Sequence, residues 1–400
     1  RAGGVVFTTG TGDTETVSGT GGTSGIGPLG LALVVVWIAG GCGGGASKSA
    51  SPTATPAATM AAARTATATA SASTASVSAT APPATATDAP GAASPTASAE
   101  PTAQGRIDEA AAICSEAAER LPAASVSSDQ LIEISGLAAS RTNAGVLWAH
   151  NDSGDAARVF AMDASGAHLA TYTLAGADAV DWEDMAVGPS ASRDASELYL
   201  GDIGDNARAR PEVIVYRVRE PAVDRGAAPF VGTLAGIERL TLRYPDGAHD
   251  AETLIVDPVS GDLIIVTKDA GGSQIFRAPR TIDASSTTVL ELAGRVDFSL
   301  LKRRTEFAAD APPLARAGGA LATGGDISPD GEVIALRTYS AVWLWSRAPG
   351  QSIGEALTAP PCEAASAAEQ QGEAIAFDAD GRGYVTVSEG ERPPLHHFAR

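Results

Sequence analysis

The 400-residue chain predicts an all-β fold, a β-propeller of five four-stranded antiparallel blades, with six blades as the alternative. Three observations predict it. One strand–turn–strand unit returns five times. Each return is broken by a turn rich in Asn, Asp and Gly. An aromatic residue recurs at the same place in each unit.

The units can be set out in chain order. First strands are read in "SGLAAS" from Ser135, "EDMAVG" from Glu183, "ETLIVD" from Glu252, "GDISPD" from Gly325 and "EAIAFD" from Glu373. Second strands follow in "VLWAH", "LYLGD", "LIIVTK", "VIALR" and "YVTVSE". Third strands carry the aromatics Phe160, Tyr216, Phe276, Trp345 and Phe398. Fourth strands are placed in "LATYTL", "RLTLRY" and "TVLEL". The first strands are spaced 48, 69, 73 and 48 residues apart, and a blade needs about 40–50. The two long intervals therefore hold insertions or a sixth, degenerate blade. A β-sandwich also gives short alternating strands, but not five returns of one unit. One helix is expected, over Ile107–Leu121, packed on the rim.

Composition divides the chain. Residues 43–105 are almost wholly Ala, Thr, Ser, Pro and Gly, with Lys48, Arg64, Asp88 and Glu100 the charged exceptions. Such a stretch buries too little apolar area to offset the entropy of ordering it, and it reads as a disordered stalk. Residues 106–400 hold all five His and most of the charge, and they suffice for one large propeller domain. A net charge of −19 excludes non-specific nucleic-acid binding. The short basic run Lys302-Arg303-Arg304 reads as a solvated loop.

Residues 1–42 read as an address. The apolar run Leu29–Ala39 is too short to span a bilayer but fits a signal-peptide core. Small residues then precede Cys42, as in a bacterial lipobox, which makes Cys42 the expected lipidation site. The expected location is extracytoplasmic, held to the membrane by that lipid, with plain secretion as the alternative. The Gly-rich "GTGGTSGIG" follows no strand and opens no helix, so it is not a phosphate loop. Outside the cytoplasm the remaining pair, Cys114 and Cys362, predicts a disulfide tying the start of the ring to its end.

The chemistry concentrates in acids. "VDWEDMAVGPSASRDASELYLGDIGDN", residues 180–206, carries seven carboxylates beside two apolar runs. First strands of a propeller line its axis, so the alignment sends Glu183, Glu252 and Glu373 towards one channel, with Ser135 and Gly325 at the same register. Second-strand ends add His150, Asp202, Lys268, Arg337 and Glu389. Carboxylates this close repel unless protonated, paired or bridged by a metal.

At "HNDSGD", "WED", "GDIGDN", "HDAE" and "GEAIAF" the chain resembles secreted bacterial β-propellers of the phytase-like and gluconolactonase-like superfamily, over roughly residues 130–400. That resemblance implies a divalent cation, commonly calcium, at the channel mouth. Glu183, Glu252 and Glu373 would be ligands, with Asp202 and Asn206 beside them. No complete phytase or lactonase active-site pattern is present, so the resemblance implies no activity.

Two functions are carried forward. In the first, the protein is a surface-anchored binding or scaffold propeller whose cation is structural, with a small molecule or a protein as its ligand. In the second, it is a metal-dependent hydrolase of phosphate esters or lactones. His150 or His249 would then move the proton, and Lys268 and Arg337 would bind the substrate anion. The competing expectation is a salt-bridge network with no ion, in which Lys268 and Arg337 neutralise the glutamates. Trp148, Trp182, Trp343 and Trp345 read as packing residues, as do His396 and His397.

Overall fold

The computed structural model describes residues 114, 119–121, 123–301 and 318–399, all within one compact unit, Ala92–Arg400. The lipobox with Cys42, the stalk and the run 302–304 lie outside the described residues. No helix among the described residues is long and apolar enough to cross a membrane.

Five small sheets form a five-bladed β-propeller. From the axis outward, the first blade runs Ile134–Ala139, Val146–Asn151, Arg158–Asp163 and His168–Leu174. The second runs Trp182–Pro189, Ser196–Asp202, Val213–Arg219 and Glu238–Arg243. The third runs Ala251–Val256, Leu263–Thr267, Ser273–Ala278 and Glu291–Val296. The fourth runs Ala322–Ile327, Val333–Thr338, Ala341–Ser346 and Cys362–Ala364. The fifth runs Gly372–Phe377, Gly383–Ser388 and Pro394–Ala399, and its outer edge pairs with Glu119–Arg120 and Ala124–Ser125 from the N-terminal side. Each innermost strand touches the next, and the fifth touches the first, so the ring is closed.

Apolar side chains hold the blades together. Five hydrophobic clusters lie at the five junctions between neighbouring blades. The repeated third-strand aromatics are the key of each junction. Tyr216 lies in the cluster between the first and second blades, Phe276 between the second and third, and Trp345 between the third and fourth. Phe398 lies between the fourth and fifth blades, and Phe160 between the fifth and first. One aromatic per blade faces back onto the blade before it. Burying each stabilises the ring by about 1.5–3 kcal/mol. Turns obey the expected chemistry: Gly331 and Gly381, in "SPDGE" and "DADGRG", have φ of 77° and 71°, which an L side chain resists.

The ring is closed twice at its seam. The N-terminal strands complete the fifth blade, and Cys114 is bonded to Cys362 on the outer strand of the fourth, with Cα atoms 6.0 Å apart. The expected disulfide is therefore present.

The expected five blades hold and the alternative sixth is not met among the described residues: part of the long second interval is a strand, Phe230–Leu234, that crosses to pair in parallel with the outer strand of the first blade. Two expectations change. "TVLEL" divides: Thr288–Val289 pairs in parallel with the second blade, while Glu291–Val296 completes the third. The end of the expected rim helix is a strand, Glu119–Arg120, because those residues supply the missing edge of the fifth blade.

The register of the fourth blade also changes. Every innermost strand carries a β-bulge, and the residue left out of the pairing is Ser135, Glu183, Glu252, Thr323 or Glu373. Thr323, not Gly325, is the fourth member. Gly325 pairs with Leu336 further along the strand. The glycines around it hide the match in sequence, because a bulge has no composition of its own.

Candidate metal centre

The bulges place acids at the end of the channel where the innermost strands begin. Two groups of carboxylates form there: Asp152, Asp181 and Glu183, and Glu183, Asp250 and Glu252. Within each group the ligand oxygens lie within 4.8 Å of one another. Two oxygens on opposite sides of one calcium are about 4.6–5.2 Å apart, so the spacing fits a shared cation. Glu183 belongs to both groups.

Glu183 is 3% exposed and has no hydrogen-bond or ion-pair partner among the described residues. A buried carboxylate without a donor is costly, and it calls for a proton or a cation. Burial first, then Glu252, Asp152 and Asp181, hold its pKa well above the ordinary carboxylate range. Burial and Asp152 raise Asp181 to about 6. Burial also raises Asp152. Around them, Glu389 is raised to about 7 by burial and by Asp152 and Glu133. Glu373 is pushed well up by burial and by Glu252, and its Oε2 is buried without a partner.

One ammonium enters the cluster. Lys268 Nζ is ion-paired with Glu252 Oε1 and lies 5.1 Å from the centre of the Tyr339 ring. Burial opposes its charge, but Glu252, Tyr339 and Glu373 outweigh burial and keep its pKa above the ordinary value. Burial drives Glu252 upward more than Lys268 pulls it down.

The loop after the second strand of the second blade shapes the site from behind. Gly204 is one wall: a β-carbon built on it would lie 2.2 Å from Glu183 Oε1 and 2.6 Å from Asp181 Cγ. Asp202 pairs with Arg210 at 2.8 Å and accepts the Asp181 N–H at 3.1 Å. The Asp205 N–H donates to Asp250 Oδ1 at 2.9 Å, and its carboxylate accepts the N–H groups of Ala209 and Arg210. Asn206 is exposed. The "GDIGDN" loop thus orients Asp181 and Asp250, while the carboxylates of Asp202 and Asp205 are engaged by Arg210 and by the N–H groups of Ala209 and Arg210.

The other expected residues are dispersed. His150 is fully buried; burial lowers its pKa, and its Nδ1 lies 2.8 Å from the Asn151 carbonyl. Its ring covers Gly136 and meets Trp182 edge-on, with centroids 5.3 Å apart. His249 Nε2 lies 2.9 Å from Asp246 Oδ1, and its ring packs between Tyr244 and Phe276. Arg337 is 3% exposed, donates to the carbonyls of Ala374 and Val387 and pairs with Glu369. It ties the fourth blade to the fifth. Of the two expected anion binders, Lys268 stands at the paired carboxylate groups, and Arg337 is closed in beside Glu369.

Asp152, Asp181 and Asp250 were not singled out from the sequence. Two of them had a signal. Asp181 and Asp250 stand two residues before the bulged Glu183 and Glu252, so "DWE" and "DAE" are one Asp-x-Glu pattern at equivalent places. Asp152 follows the second strand of the first blade, the position that Lys268 holds in the third.

No known protein-family model matches the chain, and no curated protein matches it. Of the resemblance drawn from the sequence, the propeller fold is what the structure shows.

Proposed function

We propose that the protein is an extracytoplasmic, lipid-anchored β-propeller that acts as a binding module and holds a divalent cation, calcium, at its channel mouth. Glu183 carries this reading: it is buried, has no protein donor among the described residues and is common to two carboxylate groups. Asp152 and Asp181 share its first group, while Asp250 and Glu252 form the adjoining group that Lys268 enters, with Glu373 beyond them. An all-oxygen, acid-rich set suits calcium, which takes six to eight such ligands at about 2.3–2.6 Å. Gly204 leaves the space that a side chain would fill.

Binding is favoured over hydrolysis by the two imidazoles. His150 is fully buried with its ring over Gly136, and His249 is engaged by Asp246 and by two aromatic rings. The cation would brace the mouth and present a charged surface to a small-molecule or protein ligand. Anchoring rests on Cys42, and the net charge of −19 keeps nucleic acid from the list of partners.

Equilibrium dialysis of the full chain against calcium tests the site. The reading expects stoichiometric binding that Glu183→Gln abolishes. Absence of binding, or equal binding by the variant, would overturn it. Cys42→Ala should release the protein from the membrane fraction; retention would remove the anchor.

A further inference from the structure

We propose that the channel mouth is built to hold two positive charges side by side, and that the Lys268 ammonium is the resident second cation. The inference rests on the reading that a divalent cation binds at Glu183.

The two carboxylate groups share Glu183 as a bridge would be shared between two ions. They are not equally compensated. None of Asp152, Asp181 and Glu183 forms an ion pair among the described residues. In the second group, Glu252 is paired with Lys268. The ammonium is held in place rather than trailing into solvent: it lies over the Tyr339 ring, and its side chain is 15% exposed.

The fold explains why a lysine can stand there. The five residues just after the second strands, Asp152, Ile203, Lys268, Tyr339 and Glu389, hold equivalent places in the ring. One position of the ring thus supplies an acid in the first blade, a base in the third and an aromatic partner for that base in the fourth. An ammonium here satisfies Glu252 with one charge, where a metal would bring two. The protein therefore takes one divalent cation, seated by Asp152, Asp181 and Glu183, and excludes a second.

Removing the ammonium should open the second seat. Calcium stoichiometry is measured by equilibrium dialysis for the full-length wild type, Lys268→Met and Lys268→Gln, with folding checked by circular dichroism. One calcium per wild-type chain and two per chain in either lysine variant is expected. Adding Glu252→Gln to the lysine variant should return the count to one. In chelator the lysine variants should melt below wild type, and calcium should restore them. One calcium in wild type and in both variants would overturn the inference and leave the cation site standing. Two calciums in wild type would overturn it as well. No calcium in any of them would overturn the cation site itself.

Discussion

Gly204 lies against Glu183, so that a β-carbon built on the glycine would fall 2.2 Å from the carboxylate oxygen Oε1. The contact joins the loop of the second blade to the bulge of its innermost strand. Gly204→Ala should therefore displace Glu183 and Asp181 and weaken calcium binding at least about tenfold, or about 1.4 kcal/mol. A calcium titration of the variant by calorimetry checks this; an unchanged affinity would separate the loop from the site.

Gly136 stands in a similar relation to His150, with a built β-carbon 2.2 Å from Nε2, but the consequence differs. His150 is buried among the first two blades, beside the Asn151 carbonyl and the Trp182 ring. Gly136→Ala should lower stability by about 1–3 kcal/mol through overpacking. Calcium affinity, measured on the folded variant, should stay within about twofold of wild type, since about 0.4 kcal/mol is all that factor represents.

The acids at the mouth should make the calcium-free protein sensitive to rising pH. Their folded pKa values lie above the ordinary range, Asp181 at about 6 and Glu389 at about 7, with Glu183 also raised well above it. Unfolded carboxylates titrate near 4. Between about pH 4 and 7 the native state therefore binds more protons than the unfolded one, and stability falls as pH rises. Carboxylates elsewhere with lowered pKa values, such as Asp257 beside Arg347, act in the opposite sense. The difference between Glu183→Gln and wild type cancels them. With chelator present, the variant should melt above wild type by more at pH 8 than at pH 5; a pH-independent difference would contradict the burial of an ionised Glu183.

The bond between Cys114 and Cys362 spans 248 residues and joins the N-terminal segment to the fourth blade. Closing so long a loop restricts the unfolded chain, and loss of such a bond costs about 2–5 kcal/mol. Cys362→Ser should lower the melting temperature by several degrees in non-reducing buffer. Reductant should lower the wild type and leave the variant unmoved. Equal melting of the two without reductant would remove the seam from the account of stability.

The propeller was legible because its repeat is carried by side chains that must be apolar. Phe160, Tyr216, Phe276, Trp345 and Phe398 each fill one junction between blades, so an aromatic recurs wherever a blade does. The glutamates were legible for the same reason, since each follows the start of an innermost strand. Thr323 was not, because its bulge is a matter of backbone pairing with Arg337 and Thr338 that leaves no mark in composition. Asp152, Asp181 and Asp250 lie just outside the strands, where an acid is equally at home as a turn residue. Arg337 looked like an anion binder from its place at a strand end. Only packing shows that it is closed in by Glu369 and by carbonyls of the fifth blade.

The most direct test is thermal melting of wild type and Glu183→Gln, each in chelator and in calcium. At a free calcium about a hundredfold above the dissociation constant, binding adds about 2.7 kcal/mol of stability. That corresponds to a rise of roughly 4–5 °C for a domain of this size. The account predicts this rise in wild type and its loss in Glu183→Gln. A wild type that melts at one temperature in both buffers would contradict the cation site and leave the carboxylates as a protonated network.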